Sequence, residues 1–412
     1  MTNDRTRKFG DYLAALRRGA GLSQNQLAAR LCLASGTASV TRSEVSRWER
    51  GVRVPGAWLP FLAQVLAVPH SELRQAAAYA RGDDRAQLPV PSRTLADLLP
   101  DGERLTPGES GRHLGAADVA ELAGRAHALR LADDVLSGGD LIGPAYRELH
   151  RAVDLYRTAV VSEATGQELL VQIGELGQIV GWIASDAGRL DDAEHAYRIG
   201  IDAARQAGDA TLAANVAGSL AYQWSNNGRP RDGVALAEAA AQEAGGDAPP
   251  AARALFLDRV AWAHTRAEQP QPAMRALAMA HEALSEEARA PAPDWAYWVD
   301  RSELEVMDAR VFTELRRPLR AVPLLTRVLG QYAPTHAREM ALYRSWLAVA
   351  LADANEPEQA AEEARRVVAL SGDLASERTA DRARVVLARL REYEAVPEVE
   401  AVLRDHGHLL LT

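Results

Sequence analysis

The sequence predicts an all-α protein with a small N-terminal domain followed by a long helical-repeat body. Three observations carry that expectation. No stretch shows the period-two alternation or the β-branched enrichment of a strand. Residues 21–55 contain two short helices that each signal their own start. From Ala116 onward, small residues recur at one place in an unbroken helical pattern, at steps of 40, 40, 48 and 39 residues.

A chain of 412 residues is too long for one compact core and implies two or more domains. Its 47% hydrophobic and 25% charged content is that of a soluble protein. No run reaches the length of a membrane span, and the start MTNDRTRKFGDYL lacks the apolar segment of a secretory signal, so a cytoplasmic protein is expected. The single cysteine, Cys32, falls late on a helix and reads as a small apolar residue. The net charge of −9 is segregated: residues 1–85 hold thirteen Arg and Lys against seven Asp and Glu, a net +6, which leaves −15 for the remainder. A basic module on an acidic body suits local phosphate binding without indiscriminate coating of DNA.

Within the small domain, Arg7 to Arg18 places Phe9, Tyr12, Leu13 and Leu16 on one helical face. The second helix opens at Ser23, which with Gln26 forms a capping box, while Leu22 and Leu27 form a hydrophobic staple. The third repeats the device with Thr41 and Glu44 as the box and Val40 and Val45 as the staple. It ends at Gly51, the left-handed closing residue, with Pro55 preventing resumption. One side of this helix carries Val45, Trp48 and Glu49, and the other Ser43, Ser46, Arg47 and Arg50. Guanidinium forks and hydroxyls on a short rigid helix suit base edges and phosphates in the major groove. A fourth helix follows with Trp58, Leu59, Leu62, Val65 and Leu66, stopped by Pro69, and a fifth with Leu73, Ala76, Ala77 and Ala80, ending at Gly82. The fifth helix either packs within its own domain or pairs two chains.

LSQNQLAARL followed by SEVSRWERGVRVPG resembles the helix-turn-helix of the XRE, or lambda-repressor-like, transcription regulators. The resemblance implies a five-helix DNA-binding domain over residues 1–82. It also implies phosphate contacts from Gln24 and Asn25, and a recognition helix over about Arg42 to Arg50. DNA-contacting residues are then expected at Arg42, Ser43, Ser46, Arg47, Arg50 and Arg53, with Arg47 at or near a base and Arg50 and Arg53 on phosphates. In that family the tryptophan–glutamate pair is structural, which implies Glu49 held by Arg17. One departure is the connection Ala34 to Val40, ASGTASV, longer than the usual turn. It reads either as a place where backbone N–H groups approach a phosphate or as a longer surface loop.

Residues 83–115 carry Pro89, Pro91, Pro100 and Pro107 among polar residues and read as a linker, with a short helix over Thr94 to Leu99. The body, 116–412, begins with a helix pair over Ala116 to Val161. The stretch GRLDDAEHAYRIGIDAA from Gly188 then resembles the second helix of a tetratricopeptide repeat, with Ala193 and Tyr197 where small and large residues interlock. Equivalent small residues at Gly233, Ala273, Ala321 and Ala360 mark further repeats, and Ala375 to Arg404 supplies a terminal pair. The resemblance implies a helical solenoid with a concave face. Trp182, Tyr222 and Trp262 fall at one equivalent position, followed three residues on by Ser185, Ser225 and Thr265, then by Asp186, Asn226 and Arg266. Aromatic faces beside polar groups describe an effector groove, for which Trp182, Tyr222, Asn226, Trp262 and Arg266 are the candidates; they equally describe space-filling between long helices. Repeats four and five carry Arg310 and Val349 there, so a local groove is expected.

The sequence contains none of the metalloprotease, nucleophile-elbow, phosphate-loop or paired-cysteine motifs. Gly174, Gly177 and Gly181 lie inside a helical pattern and read as close helix packing; His406 and His408 read as solvated. No catalytic residue, metal or cofactor is expected. The reading is a DNA-binding transcriptional regulator with double-stranded DNA as partner, acting as a homodimer. Its repeat body serves dimerisation or receives a peptide, small molecule or protein. The rival from another class is a repeat scaffold whose small domain docks without binding DNA.

Overall fold

In a computed structural model of the chain, residues 2–410 are described apart from 21, 67, 69, 84–85, 87–93, 135, 137, 289–290, 331–336 and 373–376. The readings of Pro69, Pro89 and Pro91 therefore lie outside the described residues. The described residues contain no strand, only an isolated bridge between His113 and Val160. They divide into two compact units, Met1–Thr94 and Leu95–Thr412. No described helix is long and apolar enough to cross a membrane.

The described residues of the first unit form five helices: α1 (Thr2–Gly19), α2 (Gln24–Ser35), α3 (Arg42–Glu49), α4 (Leu59–Leu66) and α5 (His70–Ala80). Both expected staples are buried, Leu22 with Leu27 and Val40 with Val45. The apolar faces of all five helices close on one core that includes Phe9, Leu13, Leu31, Trp48, Leu62 and Leu73. Leu73, Ala76, Ala77 and Ala80 of α5 are wholly buried there, and Tyr12 of α1 donates its hydroxyl to Glu72 at 2.5 Å. The apolar face of α5 is thus used inside its own domain. Cys32 is half-buried, its thiol directed at the Val40 carbonyl.

The second unit begins earlier than the composition suggests. The segment expected as linker up to residue 115 is part of it from Leu95 onward. Helix α6 (Leu95–Leu98) buries Leu95, and Leu99, Leu105 and Leu114 follow it into the repeat core. Gly102 donates its N–H to Asp202, and Arg205 reaches the Leu99 carbonyl at 2.8 Å. Four leucines spaced among prolines are enough to dock an irregular segment whose average composition reads as solvated.

Among the described residues fourteen further helices follow as seven antiparallel pairs: α7 (Ala116–Asp133) with α8 (Gly138–Thr158), α9 (Glu163–Asp186) with α10 (Leu190–Ala207), α11 (Ala210–Asn226) with α12 (Pro230–Ala244), α13 (Pro250–Arg266) with α14 (Pro270–Ser285), α15 (Arg301–Glu314) with α16 (Pro318–Leu329), α17 (Ala337–Asp353) with α18 (Pro357–Gly372), and α19 (Glu377–Leu390) with α20 (Pro397–His406). The glycines of α9 are contact points. A Cβ on Gly177 would lie 2.5 Å from Gly200 Cα, and one on Gly181 would lie 2.5 Å from the Tyr197 ring. Tyr197 is fully buried over that glycine, the small-against-large interlock expected of this helix pair.

The five pairs from α9 to α18 share one turn. Its central residue is left-handed in every case: Gly188 (φ 74°), Gly228 (φ 79°), Glu268 (φ 59°), Arg316 (φ 54°) and Asn355 (φ 63°). These positions repeat the 40, 40, 48 and 39 spacing of the small residues. In each, the next residue donates its N–H five positions back, as from Arg189 to Ala184 (2.9 Å) and from Arg317 to Phe312 (2.7 Å), so the turn closes one helix and aims the next. The 48-residue step holds an insert in which Tyr297 donates its hydroxyl to Asp134, just past the end of α7, at 2.6 Å and lies edge-on to His127 of that helix.

Only two of the five turns have glycine, and a side chain in this conformation costs about 1–2 kcal/mol. Glu268→Gly should therefore raise stability by up to about 1 kcal/mol, the remainder being lost to the entropy of the unfolded chain. Gly228→Ala, which meets open space and only the conformational penalty, should lower it by about 1 kcal/mol. Urea titration followed by circular dichroism checks both signs.

Candidate nucleic-acid interface

Helix α3 is short because its ends are fixed. Thr41 accepts from the Glu44 N–H at 3.4 Å, and left-handed Gly51 closes the other end. Only half of the expected capping box forms. The Glu44 carboxylate pairs instead with Arg47 one turn on, at 3.2 Å, where an opposite charge outweighs a neutral backbone donor. Val45 and Trp48 are buried at 0% and 2% exposure, so the orientation of the helix about its axis is set. That leaves Arg42, Ser43, Arg47 and Arg50 exposed, Ser46 half-buried, and Arg53 exposed just beyond the helix. Arg50 also donates from Nε to the Ser46 carbonyl at 3.2 Å.

The Glu49–Arg17 pairing implied by the family resemblance is present. Arg17 grips both carboxylate oxygens, at 2.6 and 3.1 Å, and gives a further N–H to the Leu22 carbonyl at 2.6 Å. Gln24 completes the set by donating its amide to Glu49 at 2.7 Å. Of the two candidates at the start of α2, Gln24 is thus half-buried and tied to Glu49, while Asn25 is exposed. The long connection is partly helical, since α2 runs to Ser35 before the left-handed cap at Gly36. A chain of hydroxyls runs from Ser35 at the end of α2 into the exposed remainder, Ser35 to Thr37 to Ser39, each 3.0 Å from the next.

The end of α3 also lies directly on α1. A Cβ on Gly10 would stand 2.3 Å from the Glu49 carbonyl oxygen, and one on Gly51 would stand 2.6 Å from the Thr6 carbonyl oxygen. Sequence reasoning missed Gly10; the signal was a glycine inside a helical pattern whose neighbours Phe9 and Leu13 face the core.

In the repeat domain Trp182, Tyr222 and Trp262 do come together, with ring centroids 5.7 and 5.9 Å apart. The row does not stop at the third repeat. Arg310, at the equivalent position of the fourth, stands 4.5 Å from the Trp262 ring and donates to the Tyr222 hydroxyl at 2.7 Å. Trp346, one turn before Val349, meets Trp262 edge-on at 5.7 Å. Arg259 stands 4.7 Å from Tyr222, and Arg382 stands 3.5 Å from Trp346. The groove expected to be local is therefore continuous from α9 to α19, because arginine takes the place of an aromatic ring. Asn226 accepts from the Trp262 indole N–H at 3.0 Å, whereas Arg266 is turned to Glu314 at 2.8 Å. The hydroxyls of Ser225 and Thr265 donate to their own helix carbonyls at Ala221 and Ala261, which removes them from the groove.

Substitution separates the two supports of α3. Gly10→Ala should destabilise the small domain by about 1–3 kcal/mol, since backbone and not a flexible side chain must move. Glu49→Ala should cost about 3 kcal/mol or more by stranding Arg17, whose side chain is only 13% exposed. Thermal melts of the two variants check these values.

Comparison with known proteins bears on the first unit. The search of curated proteins returned no match. A solved structure similar to this chain is that of PlcR from Bacillus thuringiensis in complex with the peptide PapR7 and DNA, at 14% identity, 82% coverage of this chain, 99% coverage of that one and a TM-score of 0.33. Residues 8–76 match a helix-turn-helix domain family, so the five-helix unit built around α3 is a helix-turn-helix domain.

Proposed function

We propose that the protein is a sequence-specific DNA-binding transcriptional regulator that inserts α3 into the major groove. The observation that carries this reading is the exposed arginine face of α3, held outward by a fully buried opposite face. Arg47 reads a base, or sits next to one; Arg42, Arg50 and Arg53 neutralise phosphates, with Ser43, Ser46 and Asn25 as hydrogen-bonding partners. Gln24 acts through Glu49 as well as on the backbone. Two copies would place their recognition helices one turn of DNA apart, about 34 Å, on a palindromic or directly repeated site. The repeat domain supplies dimerisation, effector sensing or both, and the continuous groove supports the sensing role. The rival reading, a docking scaffold, draws on the same groove. It leaves the cationic face of α3 without a purpose.

Selection from a random duplex pool tests the reading directly, and failure to enrich any sequence would overturn it in favour of the scaffold. On a selected site, Arg47→Ala should weaken specific binding by about 1–3 kcal/mol. The same variant should change thermal stability by only a few tenths, because its pair with Glu44 is exposed. Arg50→Ala should weaken binding to all sequences alike and reduce the slope of log affinity against log salt by about 1.

A further inference from the structure

The repeat-domain groove holds guanidinium groups that its own carboxylates do not pair with directly. Arg259, Arg266, Arg310 and Arg382 gather on it, whereas Glu314 is bridged to Arg266 and Asp258 lies buried beside Arg259 and Arg310. Two further carboxylates line its cavity: Asp186 accepts from the Gly138 N–H, and Asp381 is paired with Arg384. Neither Arg310 nor Arg382 forms an ion pair with a carboxylate among the described residues. Arg310 Nε and Arg382 Nη2 are buried without a hydrogen-bond partner.

Ring faces stabilise these cations but accept none of their in-plane N–H bonds. Burial pulls Arg382 down to about 10, opposed by the nearby Glu314 carboxylate and reinforced by Arg310 and Arg266. It remains charged at neutral pH. Arg310 and Arg382 both border a cavity of about 460 Å³ that is also lined by Trp182, Tyr222 and Trp346. That volume holds a small molecule.

We infer that this cavity binds a small organic anion with a flat unsaturated ring, its carboxylate or phosphate held by Arg310 and Arg382 and its ring against Trp182, Tyr222 and Trp346. The anionic head would fill the open donor positions, and the fork geometry of two guanidinium groups suits either headgroup. The inference deepens the effector-sensing role proposed above and depends on it only for any link to DNA.

Calorimetric titration of the intact protein, without DNA and at constant ionic strength, tests the assignment with 2-naphthoate, 2-naphthyl phosphate and neutral 2-naphthamide. Saturable binding of at least one anion is expected, with the amide at least about tenfold weaker; which anion binds better identifies the headgroup. Arg382→Gln should weaken that binding at least about tenfold with an unchanged circular dichroism spectrum, and Arg404→Gln, at an exposed arginine of α20 outside the cavity, should not weaken it. Arg310→Gln should behave as Arg382→Gln does, and because Arg310 is more buried, Arg382 keeps the test decisive if that variant does not fold. Amide and anion binding equally, neither anion binding at millimolar concentration, or Arg382→Gln binding as the parent does would each overturn the assignment. Loss of this binding leaves the DNA reading intact, and an empty duplex selection leaves the groove assignment intact.

Discussion

The position of α3 depends on one buried ion pair. Arg17 reaches from α1 to Glu49 at the end of α3, and the same carboxylate receives Gln24 from the start of α2. Three helices are therefore referred to a single carboxylate that is 7% exposed. Desolvating such a pair is costly, and an apolar replacement of equal volume could give similar stability. What apolar packing lacks is direction: a two-pronged bond fixes both the distance and the rotation of α3. Gly10 then lets the helix end rest on backbone, so the cationic face is held by contacts that admit little play.

The repeat domain solves a different problem with the same economy of means. Every pair from α9 to α18 must turn sharply and return at nearly the same angle, and a left-handed residue at one fixed place provides that angle. The hydrogen bond that spans the turn is strong enough to hold glutamate and arginine in a conformation they otherwise avoid. Regular turns keep the first helices of successive repeats side by side. Side chains 40 or 48 residues apart thereby form one row of rings and guanidinium groups.

Much of this was legible in the sequence, for reasons that are local. Ser23 with Gln26, Leu22 with Leu27 and Val40 with Val45 act over a few residues, so helix starts and the buried face of α3 could be read directly. The repeat spacing was legible because small residues are forced wherever two helices touch, as at Ala193 and Gly233. What escaped the reading depends on partners distant in sequence. Glu44 satisfies a cap by pattern, yet its carboxylate prefers Arg47. Leu95, Leu99, Leu105 and Leu114 are diluted by prolines, and only the surface they meet reveals them as core. Arg310 and Val349 looked like breaks in an aromatic row. The row is continued by the arginine itself and by Trp346 one turn away, a substitution of chemistry that positional alignment alone does not reveal.

An array in which each member touches only its neighbours can fray from either end, one member at a time. The bond from Tyr297 to Asp134 joins positions 163 apart in the chain, so the first helix pair is bound to the insert that precedes α15. Loosening of the early pairs and of the middle of the array is then coupled. The domain gains all-or-none melting of a kind that linear stacking does not provide, at the expense of a folding route that must wait for a distant loop to close.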